Sequence, residues 1–360
     1  MGDVELFRGG RWGPSIRIPA IAAVGEDRVV VIAVRRFFVS DWGPSDLLMR
    51  RSGDAGVRWS RSRTLIRGWG RTVDNPTLVV ASDDSMHLLY QTGFRRLWHR
   101  VSRDGGSSFG RARDLTAVVR SASYEGFAIR RFGPGPGAGA MLASGRLVMP
   151  IWVSSGTRNR PSATTTIVSD DCGLTWTSGD IVAGPNGPYP NPSEAAVAAA
   201  ADGSAVMTFR QRTVPHRIFS WSVDGATGWT TPAPNVDLFE PACHAALTAV
   251  AADGRHLLAF ANPDSRNSST SMQADGKAPR ENLTLRWSSD GGRQWSAGIV
   301  LDSGPSGYAV LASTARGRLH VLWEQGRKRG TPTWPAAIHY RDVTALVPGH
   351  VPLSGVISGW

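Results

Sequence analysis

Ser169-Asp-Asp171-Cys-Gly173-Leu-Thr-Trp176 is one of four segments built on a single spaced pattern, Ser-x-Asp-x-Gly-x-x-aromatic. The others are Ser52-Gly-Asp54-Ala-Gly56-Val-Arg-Trp59, Ser102-Arg-Asp104-Gly-Gly106-Ser-Ser-Phe109 and Ser288-Ser-Asp290-Gly-Gly292-Arg-Gln-Trp295. A fifth, Ser222-Val-Asp224-Gly-Ala-Thr-Gly-Trp229, has Ala226 where the pattern wants glycine. Each follows a short β-rich run such as DLLMRR, RLWHRV, TTTIV or LTLRW, so each stands where a strand turns back on its neighbour. The residue types suit that place: Asp accepts hydrogen bonds from the turn's own amides, Gly takes positive φ, and the aromatic buries itself between sheets. The copies recur every 50 to 67 residues, the length of a four-stranded unit with long loops. The chain reads as an all-β repeat protein.

Composition agrees with one domain spanning 1–360. Forty-one glycines, 23 prolines and 14 tryptophans suit tight turns and flat sheets with aromatic packing between them, and no Gly/Ser-rich or Pro-rich linker divides the chain. Repeats evade the usual limit on core size because each unit packs only on its neighbours. The longest apolar runs, such as Val29 to Val34, are far too short to span a bilayer. The opening MGDVELFRGGRWG has no basic region followed by an apolar core, so no signal peptide is visible, and the cellular location stays open: secreted if a leader was removed, otherwise cytoplasmic. The net charge is +11, yet only Lys277 and Lys328 among 40 basic residues are lysines, and the arginines are scattered rather than gathered in one run. Nucleic acid is therefore not the expected partner, although a positive field would concentrate an acidic sugar. Cys172 and Cys243 lie at no metal-ligand spacing, and whether they pair is left open. One stretch conflicts with its own propensity: Pro192-Ser-Glu-Ala-Ala-Val-Ala-Ala-Ala-Ala-Asp-Gly203 favours a short helix, but the β-like SAVMTFRQR after it predicts strand, Asp202-Gly203 turn, strand.

With Arg17-Ile-Pro19, the repeated turns resemble the Asp boxes of the sialidase (neuraminidase) superfamily, over a span from about Arg17 to Tyr340. The resemblance implies a six-bladed β-propeller acting as an exo-α-sialidase. Such turns also occur in propellers without that activity, so chemistry must be argued from other residues.

An acidic nine-carbon keto sugar carries a carboxylate on its anomeric carbon, best held by planar guanidinium groups that cannot lose their proton. By resemblance Arg17, Arg210 and Arg280 form that carboxylate-binding triad. Arg36 lies 19 residues after Arg17, and Asp41 five after Arg36; the resemblance makes Arg36 a substrate contact and Asp41 the general acid/base on a mobile loop. Asp46 is its rival at the same loop, and Phe38 and Trp42 would help exclude water there. Glu194 lies 16 before Arg210 and Tyr308 lies 28 after Arg280. These two belong together. A carboxylate nucleophile would be repelled by the substrate's own carboxylate, so sialidases use tyrosine, and a phenol needs a base to take its proton. Asp74, in Val-Asp-Asn-Pro, is implied to reach the far side of the ring, with a loop-capping role as the alternative.

Two departures stand out: Ile16 precedes Arg17 where an aromatic is common, and Gly133-Pro-Gly-Pro-Gly-Ala-Gly139 replaces a Gly-Pro-Gly-His-like run. The resemblance implies a retaining hydrolase acting on sialylated glycans as a monomer, with no metal or organic cofactor. Hydrolysis of Kdn or another nonulosonic acid, trans-sialidase activity and a non-catalytic glycan-binding propeller remain alternatives.

Overall fold

The computed structural model describes residues 2–10, 14–38, 40–122, 127–266, 278–326 and 335–349, so both lysines lie outside the described residues. Strands follow one another along the chain in five hydrogen-bonded sheets. The first contains Ser15–Val24, Arg28–Arg36, Ser45–Ser52 and Arg63–Ile66. The second is built on Val73–Val80, Met86–Thr92, Arg96–Ser102 and Arg113–Asp114, with Gly137–Ala138 added in parallel at its inner edge. The third holds Arg131–Pro134, Leu147–Ser154, Ser162–Ser169 and Thr177–Ser178, and Ala140–Met141 pairs beside it. The fourth holds Ala195–Ala199, Ala205–Phe209, His216–Ser222 and Ala233–Phe239.

The fifth sheet has seven strands: Ala246–Ala252, Arg255–Pro263, Glu281–Ser288, Ile299–Ser313, Leu319–Gly326, Pro335–Asp342 and Val4–Arg8. It is continuous, rather than two four-stranded units, because Ile299–Ser313 serves two neighbours in succession. Its first part pairs with Glu281–Ser288 as far as Pro305, and from Ser306 onward it pairs with Leu319–Gly326.

Apolar clusters join these sheets face to face. Ile32, Val34 and Met49 meet Leu78, Leu88 and Tyr90 between the first and second sheets, and Leu89 and Leu97 meet Phe132 and Met149 between the second and third. Further clusters join third to fourth, fourth to fifth, and fifth back to first. Middle strands are thus covered on both faces, which is why Val29–Val34 reads as one apolar run. The alanine-rich stretch is strand, as expected: Ala195–Ala199 pairs with Ala205–Phe209 around a turn containing Asp202-Gly203. Its small side chains are buried against both neighbouring sheets, and that packing outweighs helix propensity.

The four full copies of the repeated turn share one set of hydrogen bonds. In each the Ser Oγ donates to Asp Oδ1 at 2.8 Å and accepts from the Gly N–H at 2.8 Å, while the amide six residues after the Ser donates to the same Asp Oδ1. These hydrogen bonds, from the Thr175 hydroxyl and amide above all, hold the Asp171 carboxyl at about 2. In the fifth copy Gly225, one place earlier, supplies the amide to Ser222 Oγ. The turn of the third sheet shows why glycine is needed: Gly173 has φ +79°, and a Cβ there would lie 2.4 Å from the His87 ring of the second sheet. Trp176 then donates Nε1–H to the Gly173 carbonyl at 3.1 Å and sets its edge against His87 and His99. The turn therefore locks one sheet to the one before it.

Trp176→Ala is expected to lower stability by roughly 3 kcal/mol or more, measured by urea unfolding, with ligand binding by the folded fraction largely kept. The buried imidazoles give a second expectation. Burial lowers His87 and His320 to about 4 and His99 and His244 to about 3, so all four are neutral in the native state below their ordinary value of 6.5. The unfolded chain binds protons that the native state does not, so stability rises with pH in that window and is lost as pH falls from about 6.5 to about 4. Calorimetry in buffers of different ionisation enthalpy should find net proton uptake on unfolding at pH 5, to which these four imidazoles contribute roughly four protons. A Tm that stays flat between pH 7 and pH 5 would contradict this.

Candidate active site

Arg17, Arg36, Asp41, Glu194, Arg210 and Tyr308 line one pocket, with Trp42, Asn75, Phe94 and Trp152 also in its wall. The strands deliver these groups through irregularities. Between Arg17 and Ala20 the first sheet shifts register, and Ile18 adopts φ +54°. A similar shift between Ser306 and Ala309 turns Tyr308 inward, and another between Asp74 and Thr77 accompanies φ +55° at Asn75. Bulges re-aim side chains in this way, and positive φ at a β-branched residue such as Ile18 persists only where its surroundings enforce it.

At the pocket floor the Tyr308 hydroxyl donates to Glu194 Oε1, and Arg210 Nη1 donates to Glu194 Oε2 at 2.7 Å and to the Tyr308 oxygen at 2.9 Å. Arg17 lies over the Tyr308 ring at 5.1 Å and Arg280 at 6.0 Å. Burial, then the Glu194 charge, push the Tyr308 phenol well above its ordinary value against the pull of the three arginines. Burial alone would raise Glu194, but the Arg210 charge, neighbouring His244 and the Tyr308 hydrogen bond bring it down to about 2. In the resting pair the proton therefore sits on Tyr308, and Glu194 is an ionised acceptor already bonded to it.

Asp41 stands across the pocket on the loop after Arg28–Arg36, its side chain 64% exposed. It accepts from Arg36 and lies 3.9 Å from Arg17. Asp46 is placed differently: it is buried, paired with Arg35 at 2.5 Å and holding the Gly68 amide at 2.8 Å, outside the pocket lining. Asp74 is fully buried beneath Arg36, which donates to it at 2.8 Å, and its other oxygen accepts the Asn75 amide. It stands behind the wall while Asn75 faces the pocket. Glycines 133–139 likewise lie outside the lining; a Cβ on Gly137 would press on Val310 and His244 below the floor.

Several supporting residues escaped the sequence reading. Buried Glu324 accepts from Arg17 Nε at 3.2 Å and Nη2 at 3.3 Å, from the Ile18 amide at 2.8 Å and from the Tyr308 amide at 3.1 Å. A fully buried pair, Arg217 to Glu240 at 2.5 Å, holds the turn that follows the fourth sheet: Arg217 also donates to the Cys243 carbonyl, and Glu240 accepts the Cys243 amide. From that turn the Ala242 carbonyl, at φ +54°, accepts Arg280 Nη2 at 2.6 Å. The signal available was only an acid in a β-like run, Val321-Leu-Trp-Glu324, where alternation cannot say which charge is buried. Cys172 and Cys243 are both free thiols, and among the described residues no group of three or more His, Cys, Asp or Glu is placed to hold a metal ion. Among them, too, no helix is long and apolar enough to cross a membrane.

Successive β-sheets joined by repeated Ser-Asp-Gly-aromatic turns, with an arginine-rich pocket closed by a tyrosine and a carboxylate, define a sialidase-like all-β protein. The chain belongs to the BNR repeat-like domain family, whose model matches residues 27–321. Sialidase-3 of Mus musculus is 26% identical over 258 residues, 64% of this chain and 60% of the relative. The sialidase of Micromonospora viridifaciens is 24% identical over 365 residues, 90% of this chain and 52% of the relative. The chain thus spans about half to three-fifths of the length of these relatives. Among solved structures, Trypanosoma rangeli sialidase in complex with 2,3-difluorosialic acid, described as a covalent intermediate, has a TM-score of 0.73 at 20% identity, covering 94% of this chain and 58% of that one. That likeness concerns the fold.

Breaking the buried pair tests its positioning role. Glu240→Ala should cost roughly 3 to 5 kcal/mol in urea unfolding because it strands the Arg217 charge. The double substitution Arg217→Met with Glu240→Leu should recover much of that loss. Equal losses would mean that the pair has no charge-specific role.

Proposed function

We propose that this protein is an exo-α-sialidase, a retaining hydrolase of terminal nonulosonic acids, built as a single six-bladed β-propeller whose seven-stranded sheet supplies two blades and whose repeated turns are Asp boxes. The observation that carries the reading is the hydrogen bond from Tyr308 to Glu194 under the cluster of Arg17, Arg210 and Arg280. The three guanidiniums would take the substrate carboxylate, which sets the anomeric carbon above the phenol oxygen. As the Tyr308 oxygen bonds to that carbon its proton passes to Glu194, the glycosidic C–O bond breaks, and the leaving oxygen takes a proton from Asp41. Water then attacks the same carbon, giving its proton to Asp41, while Tyr308 departs and recovers its own from Glu194. Two displacements return the original configuration. Arg36 would hold Asp41 at the mouth until substrate enters, with Asp74 fixing Arg36 from behind.

Trapping the covalent step is the direct test. A fluorine beside the anomeric carbon slows both steps by destabilising the oxocarbenium-like transition state, while a fluoride leaving group still allows the first. After incubation with 2,3-difluorosialic acid and proteolysis, mass spectrometry should find one sugar on the peptide containing Tyr308. Tyr308→Phe should abolish that label and Glu194→Gln should slow it. An adduct on Asp41 or Glu194 would overturn the role assignments.

A further inference from the structure

The same pocket contains positive charge that the proposed sialidase chemistry does not use. Arg160 and Arg212 line it together with Arg17, Arg36 and Arg210. The other guanidiniums are engaged: Arg17 by Glu324, Arg36 by Asp74 and Asp41, Arg210 by Glu194, and Arg280 by the Ala242 carbonyl. Among the described residues neither the Arg160 nor the Arg212 side chain forms a hydrogen bond or a salt bridge. They arrive from different sheets. Arg160 ends the turn between Leu147–Ser154 and Ser162–Ser169, and Arg212 leaves the fourth sheet two residues after Arg210.

Both are held by ordered backbone. Buried Gln211 donates to the carbonyls of Val214 and His216 and accepts the Thr213 and Val214 amides, which fixes the loop carrying Arg212. The Arg160 turn is closed by the Ser155 amide on the Pro161 carbonyl, and Ser162 is tied to Asn191 at 3.2 Å. Partial burial, then the charges of Arg210, Arg160 and Arg280, lower the pKa of Arg212, so these like charges feel one another. Both side chains are solvent-exposed, so water screens their repulsion, and an anion entering the pocket would gain the attraction of both together with that of the neighbouring arginines. Two guanidinium forks lining one pocket from adjacent sheets suit an oxyanion with several oxygens.

Resting on the sialidase reading, we infer that the preferred substrate is an acidic sugar glycoside bearing a second anion, a carboxylate, sulfate or phosphate, and that Arg160 and Arg212 read it. The second anion can be carried on the exocyclic tail of the terminal sugar or on the residue to which that sugar is linked; the chemistry of recognition is the same.

The test compares kcat/KM for three α-glycosides of N-acetylneuraminic acid: one with a neutral aglycone, one with a sulfate on the exocyclic tail, and one whose aglycone carries a carboxylate. At low ionic strength one dianionic substrate should be favoured by about tenfold or more, and the favoured arm identifies where the anion sits. In the double variant Arg160→Gln with Arg212→Gln that ratio should collapse toward unity. Equal kcat/KM for all three, or a preference that survives in the double variant, overturns the inference while leaving sialidase activity intact. If the wild-type protein cleaves none, the sialidase reading fails, and calorimetry with the 2,3-unsaturated acid, with and without the tail sulfate or a carboxylate-bearing neighbour, decides the matter alone. Tighter binding of a dianion that is lost in the double variant supports a second-anion site; indifference to the added anion overturns it.

Discussion

Guanidinium groups gathered in one pocket repel each other, and the carboxylates that compensate them lose hydration on burial unless every charge is matched by geometry. That constraint organises the arginine-rich pocket of this protein. Glu324 binds the Arg17 guanidinium and also takes the amides of Ile18 and Tyr308, so one buried carboxylate fixes a cation, the bulge beside it and the strand carrying the phenol. Arg17 belongs to the first sheet and Glu324 to the fifth. The bonds that shape the pocket are therefore also bonds between sheets, and the site cannot assemble before those sheets meet.

The repeated turns and the charged pocket are different parts of the fold. The repeated turns bind their own amides through Asp, pass a Gly over the neighbouring sheet and bury an aromatic, with no part in the pocket. Backbone strain falls in both parts: Ala55 and Cys172 have positive φ within the repeated turns, and Ile18, Asn75 and Ala242 have it beside the pocket or at an anchor of its arginines. Such conformations cost on the order of 1 to 3 kcal/mol each and persist because packed strands on both sides leave no alternative. A stiff scaffold is what permits a strained, highly charged floor.

Much of this was legible beforehand, for physical reasons that differ by residue. The turn at Ser169 could be read because its bonds close within six residues and each requires a particular side chain. Sequence left Asp41 and Asp46 as rivals on one loop, and only the fold separates them, with Asp41 lining the pocket and Asp46 buried against Arg35 outside it. Ala195–Ala199 forms a strand because its side chains pack between the sheets on either side, which the local propensity does not reveal. Asp74 could be recognised as a residue of the site's neighbourhood, but its burial behind Arg36 depends on two adjoining sheets.

The sequence by itself determined the all-β repeat, the turns that join its strands and the residue types that the proposed function would use to hold an acidic sugar, since these follow from short-range backbone requirements and from the chemistry of a carboxylate. Tertiary structure alone decided which charges meet. Arg17 and Glu324 are 307 residues apart, Tyr308 and Glu194 are 114 apart, and Arg160 and Arg212 face one pocket from separate sheets. Nothing local distinguishes a buried, paired glutamate from a solvated one. Only the approach of distant strands, which removes water from between them, gives each of these charges its partner or leaves it waiting for one.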